Sequence, residues 1–489
     1  MKIRKKSQIP LTYSCGGNMK SKMIFVVALL LVLLPSCVKS NQLQALTPCT
    51  IAGQSAQCGS LPVYENRDTH TGRMINLKIA VIKSTSPEPA KDPVFLLSGG
   101  PGIPATTDTG NIQLFLYIQK DRDLVLVDQR GTGGSNQVAG PTTPDWSGLS
   151  PSELEKAYAD WIKAQLPKLD MDMRYYTTSI AMDDLDEVRQ ALGYEKINLF
   201  GGSYGTTAAQ YYLRQHEGHV RSVVLLSGSL GNIPIWERQA ANAQQALDAT
   251  FSRCESDPAC HSAFPNVRTE FARLLERLDK NPIVIEWEGG TLTLTRDLLA
   301  AKVEDMTRDA NRAAALPRLI HRAYALDDWK TFGDASWGDW TSLMMGYSIQ
   351  CNEKWAAFSP EEVSRLGQGS YLLGWNLFRA TKYALVCKYL PKGIAPEGDS
   401  DQPVSQVPVL LFNGELDPLD PPANVAGSQK TWPNSLALTL SGRGHSISDY
   451  TTGDCILQIT SKFIEAAAVR NLPTECLQDL KPIPFDTNK

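Results

Sequence analysis

The chain has 489 residues, 42% of them hydrophobic and 20% charged, with 36 glycines and 30 prolines. This ordinary globular composition excludes a disordered, collagen-like or many-pass membrane chain. The 48 basic and 52 acidic residues leave a net charge of −4, and no basic block is long enough to track a phosphate backbone, so nucleic acid is not an expected partner.

Residues Ile24 to Leu34 form an unbroken run of eleven apolar residues preceded by Lys20 and Lys22. The run is too short to cross a bilayer and has the flanks of a secretory signal. Met19 opens a conventional signal by itself, so residues 1–18, including Cys15, are left out of the fold expectation. The run ends in Leu34-Pro35-Ser36-Cys37, which resembles a bacterial lipobox, although proline is unusual at Pro35. Lipidation of Cys37 would make the protein a membrane-anchored lipoprotein; the alternative is plain cleavage near Ser36 and a periplasmic protein. Both readings place the mature chain outside the cytoplasm, with 1–36 as the signal and 37–60 as an N-terminal linker.

Without Cys15 and Cys37, eight of the ten cysteines remain. An even number in an oxidising compartment reads as four disulfides, and pairing sequence neighbours gives 49–58, 254–260, 351–387 and 455–476. No Cys-x-x-Cys pair occurs and no histidine sits at finger spacing to a cysteine, so no metal site is expected.

From Leu61 the pattern alternates short apolar strands with turns and helices. Strands are predicted at Met74–Ile82, Val94–Leu97, Leu124–Val127, Ile197–Phe200 and Val223–Leu226, and a helix at Thr177–Leu192 stopped by Gly193. Such alternation predicts a mostly parallel, doubly covered sheet. Between about 231 and 396 helical patterns take over, at Trp236–Phe251, Arg268–Leu278, Arg296–Met306 and Arg312–Leu326. Strands at Val407–Phe412 and Leu436–Leu440 and a helix at Cys455–Ala468 then restore the first pattern. The expected architecture is an α/β core in two parts, 61–230 and 397–480, with a helical cap at 231–396 and a tail at 481–489.

Gly201-Gly202-Ser203-Tyr204-Gly205 lies between an apolar strand and a helical stretch, Thr206–His216, the context a nucleophile elbow requires. A serine needs a base, and the base needs a carboxylate that fixes its tautomer. His445 follows the strand Leu436–Leu440 in a glycine-rich loop. Asp417 follows Val407–Phe412, 28 residues earlier, and is favoured as the acid over Glu415 and Asp420. His216 and His219, in His-Glu-Gly-His, lack the spacing of a zinc-protease motif and read as a helix end. Oxyanion donors are expected from the backbone N–H groups of Tyr204 and Gly100, with Gly99 as the alternative to Gly100.

The elements Gly99-Gly100-Pro101-Gly102, Asp128-Gln129-Arg130-Gly131-Thr132-Gly133 and Gly202-Ser203-Tyr204-Gly205-Thr206, in this order, resemble those of the proline iminopeptidase and tripeptidyl aminopeptidase family of α/β-hydrolases. Asp417-Pro418-Leu419-Asp420-Pro421-Pro422-Ala423 and Gly444-His445 are similar to the C-terminal segment of the tripeptidyl aminopeptidase branch. The resemblance spans roughly Leu61 to Cys476 and implies a serine hydrolase that removes residues from free peptide N-termini without a cofactor. It also implies that Glu353, in Cys351-Asn352-Glu353, binds the substrate α-ammonium, and that Asp128 and Arg130 support the site. Ser98 stands where many proline iminopeptidases have His, Asp420 where the family usually has Thr, and Cys387-Lys388-Tyr389-Leu390-Pro391 lacks a tryptophan common in that cap segment. The rival readings are an esterase or lipase of the same fold and a non-catalytic peptide-binding surface lipoprotein.

Overall fold

The computed structural model describes residues 42–138, 151–287, 290–333, 343–353, 359–394, 398, 401–446, 449 and 454–488. The signal segment and Cys37 lie outside the described residues. Three short strands, β4 (Val94–Leu97), β5 (Leu124–Val127) and β6 (Ile197–Gly202), are buried at every position. Continuous apolar runs of this kind are what a sheet covered on both faces requires.

Among the described residues, nine strands form one sheet. The others are β1 (Thr47–Ile51), β2 (Gln54–Tyr64), β3 (Met74–Ile82), β7 (Val220–Leu226), β10 (Val409–Gly414) and β11 (Ser435–Leu440), in the order β1-β2-β3-β5-β4-β6-β7-β10-β11. The first four in that order pair antiparallel, and from β5 to β11 all pairs are parallel. One face is packed by helices Thr178–Ala191 and Tyr204–His216 through Ala181, Leu185, Val188, Ala208 and Tyr212. The opposite face is packed by Ile112 and Phe115 of helix Thr109–Phe115 and by Ile456, Ile459 and Phe463 of helix Asp454–Ala466. Because β4 sits between β5 and β6, the strand order reverses there, and the loops leaving β4 and β6 diverge from a common crevice.

The segment expected to be a linker over 37–60 contains an edge hairpin instead. Strands β1 and β2 are joined by Ala52 and Gly53, both at positive φ (49° and 78°), the two-residue turn that suits the twist of a hairpin. Cys49 and Cys58 are bonded across it. Ala-Gly is a weaker turn signal than Asn-Gly, so the hairpin is not marked in the sequence by a strong turn dipeptide.

Between β7 and β10 the chain forms helices including Ile235–Ser256, Val267–Lys280, Arg296–Thr307, Ala310–Leu326, Leu343–Asn352 and Leu373–Val386, and a separate hairpin of β8 (Ile283–Trp287) and β9 (Gly290–Leu294). Leu247, Phe251, Phe271, Leu274, Leu299 and Leu316 give these helices an apolar cluster of their own. The tail packs on this unit: the Asp486 N–H donates to the Ala314 carbonyl, and Arg318 pairs with the Asp486 carboxylate at 2.8 Å. The four cysteine pairs expected from sequence order are bonded.

Candidate active site

Strand β6 delivers Ser203 into a tight turn before helix Tyr204–His216, with φ 53° and ψ −122°. A non-glycine residue held there costs on the order of 1–3 kcal/mol. The Ser203 N–H donates to the Leu226 carbonyl at 2.9 Å, and its own carbonyl accepts from the Thr206 N–H and Oγ1 at 2.9 and 2.7 Å. A Cβ at position 205 would stand 1.9 Å from the Leu97 carbonyl oxygen, so only glycine lets the new helix cross β4 this closely.

His445 and Asp417 arrive from the ends of β11 and β10. The imidazole Nε2 lies 3.1 Å from Ser203 Oγ, and Nδ1 lies 2.9 and 3.1 Å from the two carboxylate oxygens of Asp417. Of the three acids weighed for this position, Asp420 is 3.8 Å from Nδ1, beyond hydrogen-bond reach, and accepts instead from the Ser229 hydroxyl. Glu415 accepts from the Ser441 hydroxyl and the Gly442 N–H, each at 2.9 Å, and so braces the turn before His445. Asp417 is fully buried, and its Oδ1 also accepts from the N–H groups of Leu419 and Asp420 at 2.9 Å. Burial alone would raise its pKa, but the His445 charge and hydrogen bond and these two N–H donors hold it below the usual carboxylate value. Burial likewise works to lower the His445 pKa, and the charge and hydrogen bond of Asp417, helped by Asp420, outweigh it and raise the imidazole above 6.5.

The Gly99-Gly100-Pro101-Gly102 turn leaves β4 beside the serine: a Cβ at position 99 would stand 3.3 Å from the Ser203 Cβ. Gly100 has φ 111°, a conformation that L side chains rarely adopt. Asp128 fixes the segment that follows, accepting from the Thr106 N–H and hydroxyl and from the Gly134 N–H at 2.9 to 3.0 Å. Arg130 is fully buried, forks onto Asp184 at 2.6 and 2.7 Å and donates to the carbonyls of Glu65 and Tyr175. Both therefore hold the frame behind the turn.

Glu353 also reaches this neighbourhood. Its carboxylate accepts from the Thr178 N–H at 2.7 Å and the Thr178 hydroxyl at 2.9 Å, and that hydroxyl lies 2.6 Å from the phenol of Tyr204, the residue after Ser203. The Tyr204 phenol pKa is raised by burial and by the Glu353 charge, so it stays protonated. Gln129 Nε2 donates to the same phenol at 3.1 Å. His216 ends its helix and meets Asp183 at 2.9 Å, away from this group.

Two residues beside the histidine were not legible in the sequence. The Arg308 carbonyl, at the end of helix Arg296–Thr307, accepts from the N–H groups of His445 and Ser446 at 2.6 and 2.7 Å. The Asp449 carboxylate accepts from Gly444 N–H at 2.6 Å and from Ala310 N–H at 3.1 Å. Both tie the histidine loop to the cap across more than a hundred residues of sequence, which no local motif reveals.

A doubly covered parallel sheet with a strained serine after β6, and a histidine and an aspartate after later strands, defines an α/β-hydrolase architecture. A sequence profile of the alpha/beta hydrolase fold matches residues 92–450, and the chain belongs to that family. Within it, the chain is 27% identical over 207 residues to a proline iminopeptidase of Heyndrickxia coagulans, covering 40% of this chain and 56% of that protein. Across the curated relatives it matches, the chain spans 48 to 63% of their length. A solved proline iminopeptidase from Mycobacterium smegmatis aligns with 83% of this chain and 98% of that one, at 13% identity and a TM-score of 0.39.

Proposed function

We propose that the protein is an exported serine hydrolase that removes short peptides from a free N-terminus, in the manner of a tripeptidyl or prolyl aminopeptidase. The observation that carries this reading is the hydrogen-bonded row Ser203–His445–Asp417 at the ends of three parallel strands. Ser203 Oγ attacks the scissile carbonyl as its proton passes to His445 Nε2, and the Oγ–C bond forms. Asp417 keeps the other proton on Nδ1 and stabilises the imidazolium. The N–H groups of Tyr204 and Gly100 receive the oxyanion. Collapse breaks the C–N bond, the leaving nitrogen takes the proton from Nε2, and water then releases the acyl group through the same steps in reverse.

Glu353 binds the substrate α-ammonium in this scheme, at a fixed distance from the serine through Thr178 and Tyr204. The relatives named proline iminopeptidase favour this substrate end over an internal peptide bond. The four disulfides and the Ile24–Leu34 signal favour an oxidising compartment, with Cys37 as the proposed lipid anchor.

The test compares Ala-Ala-Pro-type and Pro-type chromogenic amides with their N-acetylated copies and a short-chain ester. Cleavage of the free-amine amides, lost on acetylation, is the expected result. Turnover of the ester alone, or indifference to acetylation, would mean an esterase or an endo-acting hydrolase on the same scaffold.

A further inference from the structure

The helix Leu373–Val386 sets Arg379 and Lys382 three residues apart, hence on one face. The Arg379 guanidinium lies 4.2 Å above the Trp236 ring and donates to Gln239 Oε1 at 2.6 Å. The Lys382 ammonium is enclosed by the rings of Tyr158, Tyr383 and Phe378 at 4.9, 5.3 and 5.9 Å. Among the described residues, neither cation has a carboxylate in ion-pair contact. Arg379 also shares a hydrogen bond with the Tyr383 phenol and feels the Glu304 charge at longer range, so each cation is desolvated without a carboxylate in direct contact.

Both sides of this cluster are tied to the serine site. Gln239 and Asn242 lie one turn apart on helix Ile235–Ser256, and Asn242 Nδ2 donates at 3.4 Å to the carbonyl of Leu419, two residues beyond Asp417. Tyr347, whose ring meets that of Tyr383 at 5.4 Å with a 57° tilt, follows Gly346, where a Cβ would stand 3.6 Å from the Pro101 carbonyl in the glycine-rich turn. The same helix carries Cys351, bonded to Cys387 just past Lys382, and ends at Asn352, immediately before Glu353.

We propose that Arg379 and Lys382 form an anion subsite that takes a carboxylate of the peptide substrate, opposite in charge to the α-ammonium site at Glu353. The inference rests on the N-terminal peptidase reading and narrows it to short peptides with an anionic group downstream of the cut. A carboxylate there places a counter-charge in direct contact with two half-buried cations, which no carboxylate among the described residues does and a neutral residue cannot do. Burial and the neighbouring Arg379 charge push the Lys382 pKa down to about 7, so near neutral pH the amine is partly uncharged and a bound carboxylate would draw the proton back onto it. The carboxylate has two sources, the C-terminus of a short peptide or an acidic side chain.

The experiment measures kcat/KM for Ala-Ala-Pro-Ala as the free acid and as the amide, and for Ala-Ala-Pro-Asp-amide against Ala-Ala-Pro-Asn-amide. Each peptide is used with free and acetylated N-termini; for peptides that are not cleaved, inhibition of short-ester hydrolysis gives the same ratio. In at least one arm the carboxylate is favoured about tenfold or more, and which arm responds identifies the source. Lys382→Met and Arg379→Gln bring that ratio near one, while Lys382→Arg keeps it. Each ratio is taken within one preparation, so partial loss of folded protein cancels. Equal rates for acid and neutral copies in both arms of the wild type, or an unchanged ratio in Lys382→Met and Arg379→Gln, overturn the subsite. Cleavage of acetylated peptides at the free-amine rate overturns the peptidase reading instead, and the ratios among those copies still report on the two cations.

Discussion

Replacing Asp417 by Asn inverts the task of His445, and the reason lies in the hydrogen bonds of one carboxylate. Oδ1 accepts from two backbone N–H groups, Leu419 and Asp420 at 2.9 Å, whereas Oδ2 faces Nδ1 of His445 at 2.9 Å. An asparagine must keep its oxygen on the backbone donors, since an NH₂ group cannot accept, so its amide nitrogen faces Nδ1. The imidazole then becomes the acceptor at Nδ1 and carries its proton on Nε2, where it can no longer take the proton of Ser203. A loss of about 10⁴ in kcat, or about 5.4 kcal/mol of barrier, is expected from a tautomer error of this kind. A second readout is independent of rate. With the Asp417 charge gone, burial is left as the main influence on His445, so the acid limb of the kcat/KM profile moves from above 6.5 in the wild type to below it. Asp420→Asn, with Nδ1 at 3.8 Å, stays within about tenfold of wild type. Steady-state kinetics of the three proteins from pH 5 to 9 decide the matter: a larger defect in Asp420→Asn than in Asp417→Asn, or an unmoved limb, would refute the assignment.

Glu353→Gln is expected to lower kcat/KM for free-amine peptides by roughly 10- to 100-fold, the worth of one charged hydrogen bond, with little effect on N-acetylated copies; equal losses on both would mean a purely structural role through Thr178. Asp449, buried behind the histidine loop, has its pKa pushed up to about 6 by burial, against the opposing effect of the Gly444 and Ala310 N–H groups. Its native state therefore holds the proton more tightly than the unfolded chain, and its contribution to stability falls as pH rises from about 4 to 6. In urea unfolding, Asp449→Asn should gain about 1–2 kcal/mol on the wild type between pH 5 and 8, and a pH-independent difference would count against the raised pKa. Removing the Cys351–Cys387 bond, which closes a 36-residue separation, should cost about 4 kcal/mol by chain entropy, and a Tm within 2 °C of wild type would show that the cap holds these helices without it.

What the sequence carried and what it withheld divide along the range of the interactions. Ser203, His445 and the run of buried strands could be read because each is written in consecutive residues: an apolar run, a glycine turn, a functional side chain. The sequence favours Asp417 over Glu415 and Asp420 without excluding them, since all three occupy one turn, and only the direction of that turn separates the carboxylate that meets Nδ1 from the two with other partners. Helices such as Arg296–Thr307 were placed to within a residue by their apolar spacing. The β1–β2 hairpin was missed for want of a strong turn dipeptide. Arg308 and Asp449 are not legible because each joins the histidine loop to the cap across more than a hundred residues, and Arg379 and Lys382 are not because a cation on an amphipathic helix reads as solvated surface until the rings around it are seen.

The central claim is that Ser203 is a nucleophile activated by His445, and covalent labelling tests it most directly. Intact-mass and peptide analysis after treatment with a fluorophosphonate should show one adduct, on Ser203, absent from Ser203→Ala and slowed in Asp417→Asn. An adduct on another residue, or wild-type peptide hydrolysis by a folded Ser203→Ala variant, would contradict it.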